Sequence, residues 1–276
     1  AAAGEHALWP GEFGASAYAN FINVAGAPPA TVGSDAYAAT MSEALRGCGV
    51  NTELLVKVAG ETGQAFILLQ RGGENSIIIV GGANQAWSTP PAAALERLRG
   101  AGALLLQCEV PESVNYAAAQ VAARAGVPVV LDCGGADAPL LPAMLPLVTV
   151  LSPNETELAR LTGLPTGNEA EVLAAARAMQ AQGVGTLLVK LGARGSLLVP
   201  QEGAPLRQGV FPVAVVDTTG AGDCFTAAYA VAMAEGGDPA QRLRFAAAAA
   251  ALCVGGLGAM PSMPTRARVE AMLAGS

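Results

Sequence analysis

The chain is predicted to be an α/β protein with a mainly parallel sheet covered by helices on both faces. Three observations carry this. Four short apolar runs between residues 103 and 189 alternate with segments of helical spacing. That alternation is how parallel sheets with two buried faces are built. Of 276 residues, 52% are hydrophobic and 13% charged, enough apolar matter for a large core and too little charge for a disordered chain. The last quarter then holds three helical segments, the first opening on a glycine-rich turn.

Taken in order, residues 1–35 carry Gly, Ala, Pro and aromatics without clean periodicity. Residues 35–48 show helical spacing and stop at Gly49. Apolar runs at 65–70 and 76–80 flank Arg71-Gly72-Gly73-Glu74, a hairpin signal. Strands are expected at 103–106, 127–131, 147–151 and 186–189, with helices at 113–124, 155–162 and 169–182. Residues 195–216 read as a β-rich piece, followed by helices at 221–235, 239–254 and 265–273. The alanine run 246–251 reads as a tightly packed helix, because Ala is the strongest helix former.

Composition narrows the function classes. Net charge is −7, no Lys/Arg-rich run occurs, and the first basic side chain after His6 is Arg46. A nucleic-acid surface needs clustered basic residues, so that class is set aside. Phosphate chemistry remains open, because backbone N–H groups hold phosphates without side-chain charge. The five cysteines (Cys48, Cys108, Cys133, Cys224, Cys253) form no CxxC pair, which speaks against a disulfide framework or zinc site and for a reducing compartment. The longest apolar candidate, 245–254, is mostly Ala and too short for a bilayer, so no membrane role is expected. No secretory-type leader is visible at the N-terminus.

The strongest motif is Val216-Asp217-Thr218-Thr219-Gly220-Ala221-Gly222-Asp223. It follows an apolar run and opens a helix, where free N–H groups and the positive dipole end favour an anion. The glycines let a ligand approach the backbone, and Asp223 falls where a carboxylate can reach a hydroxyl beside a phosphoryl group. The plainer reading is a helix start whose Asp offsets the dipole. GxxxxGK[ST] is not matched, so a Walker-type NTPase is not supported. Asn154-Glu155-Thr156-Glu157 reads as a capping box. Lys190-Leu191-Gly192-Ala193-Arg194-Gly195 ends a strand and reads as a glycine-containing turn. Glu109 follows the strand 103–106, at the carboxyl edge where open parallel sheets bind ligands, and reads equally as a sugar contact or a solvated acid.

With Cys224-Phe225 following Asp223, the glycine-rich string resembles the C-terminal signature of ribokinase-like (PfkB-type) carbohydrate kinases. The resemblance runs from about Val32 to the C-terminus and is closest to plant and algal members at 151–158 and 258–264. It implies an αβα sandwich with a mainly parallel central sheet and a small β lid, one kinase domain over 1–276, and lid segments near 1–13 and 62–82. The implied reaction moves the ATP γ-phosphate to the primary hydroxyl of D-ribose; another sugar or a nucleoside is the alternative acceptor. Asp223 would be the general base, with Gly220, Ala221 and Gly222 as an anion hole. Asn154, Lys190, Gly192 and Gly195 would line the nucleotide site, and Glu157 would organise Mg²⁺. Glu109, Asp223 and Asn20 would face the sugar. Asp217, Thr219, Cys253, Gly256, Gly258 and Ser262 would hold an activating K⁺. A homodimer through the lid and a plastid or cytoplasmic location follow from the same resemblance.

The chain departs from the family's pattern at its start. The first strand with its Asn-x-Asp pair is not found, so the text reads as starting inside the first lid segment, near Gly4-Glu5. The diglycine-lysine sugar motif is reduced to Gly14 and Ala19-Asn20. A weak sugar half, or an impaired nucleotide-binding protein, is the expectation this leaves.

Overall fold

The structure, a computed structural model, describes residues 21–23, 30–69, 75–86, 89–135 and 138–275. The expected lid segment near 1–13 and Asn20 lie outside the described residues.

The central sheet contains β1 (Phe21–Asn23), β6 (Leu104–Cys108), β7 (Val129–Gly135), β8 (Val150–Ser152), β9 (Thr186–Lys190), β10 (Ser196–Val199) and β11 (Leu206–Gln208), hydrogen-bonded in that order. The four middle strands β6 to β9 run parallel. Antiparallel strands flank them, β1 on one side and β10–β11 on the other. The sheet is thus parallel at its centre and mixed at its margins.

The pleat explains the layering. Along each strand successive side chains alternate between faces. Leu104, Leu106, Val129, Leu131, Leu187 and Val189 point to one core. It is closed by α2 (Ala92–Leu98), α3 (Glu112–Arg124), α4 (Glu155–Thr162) and α5 (Glu169–Gln180). Leu105, Val130, Val150, Leu188 and Leu198 point to the other, against α6 (Ala221–Ala234), α7 (Pro239–Val254) and α8 (Arg266–Ala274). The result is an αβα sandwich. The alanine run lies in α7, where small side chains let it pack closely on α6. Among the described residues no helix is long and apolar enough to cross a membrane.

A smaller β part stands beside the sandwich. β2 (Ala30–Val32) and β3 (Leu55–Lys57) form a parallel pair around α1 (Ala36–Gly47). β4 (Gln64–Leu69) and β5 (Asn75–Val80) form the expected antiparallel hairpin. Its foot is tied down. Asp35, the N-cap of α1, accepts hydrogen bonds from Ala38 N, Thr62 N and Thr62 Oγ1. Thr62 Oγ1 also accepts from Gly33 N, and Ala83 N donates to Glu61 O. Higher up, Ile78, Ile79 and Val80 are all exposed, so both faces of the hairpin carry uncovered apolar side chains.

Three expectations shift. β8 begins at Val150 rather than 147, because 145–147 form a 3₁₀ turn around Pro146. α2, after Pro90-Pro91, lies where no element was expected. Only the first part of 195–216 pairs as strands; 209–216 runs unpaired along the cavity described next, with Pro212 removing a ladder donor.

Candidate active site

A cavity of about 770 Å³ opens at the carboxyl ends of β6 to β9. This is where an open α/β sheet leaves room between its strand ends and the helices that follow. Each polar group lining it arrives by a strand end or a helix start.

The N-terminus of α6 is the first such element. Gly220 caps it with φ +77°, and a side-chain carbon there would meet Met263 Cε at 3.0 Å, so glycine is required twice over. Ala221 N already donates to Thr218 O at 3.2 Å. The N–H groups of Gly220 and Gly222 have no acceptor among the described residues and remain available to an anion. Asp223 follows in the first turn, half-buried, with Gln107 Nε2 donating to its Oδ1 at 2.7 Å. Burial and the Asp132 charge push the Asp223 carboxyl up to about 6, against the opposing pull of Lys190 and the Gln107 bond.

Glu109 sits just past β6 on the same cavity wall. Burial, then the charges of Asp223 and Asp132, push it to about 7. A carboxyl raised in this way suits hydrogen bonding to hydroxyls near neutral pH.

Asp132, in the middle of β7, ties the floor together. Its Oδ2 accepts from Lys190 Nζ and from Thr226 Oγ1, both at 2.6 Å, and its Oδ1 from Gly134 N at 3.0 Å. Thr226 in turn bonds Ser152 at 2.9 Å. Lys190, the last residue of β9, stays cationic: burial lowers its affinity for a proton, but Asp132, Glu157 and Asp223 more than restore it. Removing one partner of such a buried pair would strand the other, at a cost of about 3–5 kcal/mol.

Asn154 caps α4 in the expected capping box: its side chain accepts from Glu157 N at 2.8 Å, and Glu157 Oε2 accepts from Asn154 N at 2.7 Å. A parallel backbone bridge also pairs Asn154 with Lys190, which sets the start of α4 beside the lysine. Burial raises the Glu157 carboxyl. With one oxygen used by the cap, the other remains for a cation that keeps its own waters, which is how Mg²⁺ is usually held. Gly192 and Gly195 both have positive φ (+54° and +86°) and line the cavity. Gly195 is also sterically forced, since a side-chain carbon there would lie 2.0 Å from Gln208 O.

Asp217, Thr219, Cys253, Gly256, Gly258 and Ser262 form one knot beside α6. Asp217 Oδ1 accepts from Thr219 N and Oγ1, and Oδ2 from Gly258 N. Cys253 Sγ lies 3.2 Å from Ser262 Oγ, and a side-chain carbon at Gly256 would be 2.9 Å from Ser262 Cβ. Val216 N and Asp217 N both donate to Val254 O, lacing the two loops together. Among the described residues no three His, Cys, Asp or Glu side chains converge as a cage. The knot's one carboxylate, Asp217, is met on both oxygens by protein donors.

The structure therefore brings Asp223, Ala221, Gly222, Glu109, Asn154, Glu157, Lys190, Gly192 and Gly195 to one cavity, while Gly220, the cap of α6, is not among its lining residues. Sequence reasoning missed Asp132 and Gln107. Each is a polar residue that directly follows an apolar run, Gln107 after 104–106 in β6 and Asp132 after 129–131 in β7, a signal close to the one that singled out Glu109. It also missed the apolar end of the cavity, formed by Val210, Phe211, Val213, Val215, Ala247 and Ala251.

Comparison with known proteins gives the same direction. The family described as pfkB family carbohydrate kinase matches residues 30–266. The chain is 50% identical over 248 residues to a ribokinase of Arabidopsis thaliana, covering 88% of this chain and 65% of that protein's length. It is 36% identical to a ribokinase of Haemophilus influenzae, covering 85% and 77% respectively. The structure of Arabidopsis thaliana ribokinase complexed with ribose and ATP superposes with a TM-score of 0.85 at 49% identity, over 88% of this chain and 80% of that one.

Proposed function

The chain belongs to the pfkB family of carbohydrate kinases, and from that premise we propose that it is an ATP-dependent ribokinase, forming ribose 5-phosphate from D-ribose. The observation that carries the reading is Asp223, half-buried and held by Gln107, beside the free N–H groups of Gly220 and Gly222. A base and an anion hole one residue apart are what phosphoryl transfer to an alcohol requires.

In this reading the purine lies at the apolar end, between the 210–215 segment and α7, and the phosphates run towards the starts of α4 and α6. Glu109 faces the sugar beneath the hairpin, with Asn20 a further sugar ligand. Asp223 takes the proton of the primary hydroxyl as its oxygen bonds to the γ-phosphorus. The bond from that phosphorus to the bridging oxygen breaks, and ADP leaves with the electron pair. Negative charge on the moving group is met by the N–H groups of Gly220 and Gly222. Glu157 would hold Mg²⁺ through waters, whose chemistry is to neutralise phosphate charge. The Asp217–Ser262 knot would hold K⁺. The uncovered Ile78, Ile79 and Val80 favour a second copy of the chain covering the hairpin, hence a homodimer through the lid. Similarity to a plant relative favours a plastid or the cytoplasm.

The test is ADP formation from ATP with D-ribose, other pentoses and nucleosides, in K⁺ or in tetramethylammonium at matched ionic strength. Ribose is expected to be the best acceptor, with higher turnover in K⁺. Equal rates in both salts would remove the monovalent site, and no turnover of any pentose would remove the ribokinase reading.

The pH profile follows from Asp223. The base works only when ionised, and its carboxyl titrates at about 6. Log kcat/KM is therefore expected to fall with decreasing pH below about 6. An acid limb near 4, the range of an unperturbed carboxylate, would exclude Asp223 as the base.

A further inference from the structure

We propose that Lys190 is a catalytic residue that donates to the transferring phosphoryl group itself, held in place for this by Asp132. The proposal deepens the ribokinase reading and rests on it.

Position is the first argument. Lys190 Nζ lies directly below the anion-hole turn: a side-chain carbon added at Gly222 would sit 3.6 Å from it. The lysine thus faces the same small space as Gly222, and both residues line the cavity. A group bound between them is the terminal phosphoryl, not the base or ribose of the nucleotide.

Valence is the second. An ammonium has three donors. Among the described residues Lys190 uses one, to Asp132 Oδ2 at 2.6 Å. Its side chain is only 14% exposed, so bulk water does not satisfy the rest. A buried cation with spare donors at a cavity wall calls for an anion in the cavity.

Charge balance is the third. Asp132, Glu157 and Asp223 all act on Lys190, which among the described residues is the only Lys or Arg lining the cavity. Five carboxylates line the cavity, Glu109, Asp132, Glu155, Glu157 and Asp223, so an entering polyphosphate meets a surplus of negative charge and one fixed cation. The cation belongs where charge shifts during transfer.

Asp132 explains why the lysine does not turn away. Gly134 N, Thr226 Oγ1 and Lys190 Nζ all bond its carboxylate, and Ser152 holds Thr226. Asp132 is a positioning residue, fixing Nζ before the phosphate arrives, so no reorganisation is needed during the reaction. The lysine keeps its proton throughout: it donates a hydrogen bond as the oxygen–phosphorus bond forms and the bridging bond breaks, while Asp223 takes the alcohol proton.

The test compares Lys190→Met, Asp132→Asn and the double variant. Lys190→Met is expected to lower kcat by about 10²-fold with little change in KM for ATP. That variant strands Asp132 and also loses thermal stability. The double variant has no unpaired charge and is expected to melt near the wild type yet stay slow. Recovery of both stability and kcat in the double variant would show a purely structural pair and overturn the proposal.

A second readout needs no sugar turnover. Binding of MgADP is measured with and without aluminium fluoride, which mimics the phosphoryl group in flight. Lys190→Met is expected to keep its affinity for MgADP and lose the tightening that fluoride gives the wild type. Equal loss in both states would make Lys190 a general nucleotide contact, and a wild type that fluoride does not tighten would also count against the proposal. Ribose turnover by the wild type reports separately on the ribokinase reading.

Discussion

Asp223→Asn is expected to lower kcat by about 10²–10⁴-fold, the usual loss when a general base is removed, with nucleotide affinity nearly unchanged. Asparagine keeps the shape and can still accept the 2.7 Å bond from Gln107 Nε2. What it loses is the ability to take the alcohol proton. It also relieves a crowded site, since Glu109 is raised in part by the Asp223 charge. The variant is therefore expected to fold at least as stably as the wild type, and its Glu109 to titrate lower. Steady-state kinetics, calorimetry with MgADP and thermal melting check the three parts. A variant with near wild-type kcat would remove Asp223 from the chemistry.

Gly222→Val is expected to lower kcat by about 10²–10³-fold while leaving the melting temperature close to the wild type. Two neighbouring glycines differ here. At Gly220 the backbone is left-handed and a side chain would press on Met263 and Ala259, so substitution there damages the fold. At Gly222 the backbone is helical, and the nearest atom to an added carbon is Lys190 Nζ at 3.6 Å, an ordinary contact. The fold has room at Gly222. That room is where a phosphoryl group would meet the N–H, and valine would fill it. If activity and melting temperature fall together at Gly222, the position is structural.

Much of this was legible in the sequence, for physical reasons. The middle strands are uniformly apolar because both faces are buried, so periodicity and length alone placed β6, β7 and β9. α4 was placed to the residue because its capping box is written in Asn154 and Glu157. The same box hid a second use, since capping and facing the cavity need the same residues. Asp132 was not legible. A single acid closing an apolar run looks like the first residue of a loop, and its value comes from Lys190, 58 positions away. Gln107 is the same case, joined to Asp223 across 116 positions. The apolar cavity end was hidden for the opposite reason: 209–216 has strand-like composition but spends its side chains on the cavity rather than on a partner strand.

The tied foot of the hairpin has a mechanical consequence. With Thr62 bonded to Asp35 and Gly33, and Ala83 bonded to Glu61, the hairpin cannot rotate about its own base. It is a cantilever, clamped at 61–62 and 83 and loaded along its free length. A force on the tip has two outlets. It bends the two strands, or it passes as torque through the Asp35 carboxylate into α1, whose first turn hangs on that same group. Any covering and uncovering of the cavity by this hairpin would therefore carry α1 with it, through one aspartate that is not among the residues lining the cavity.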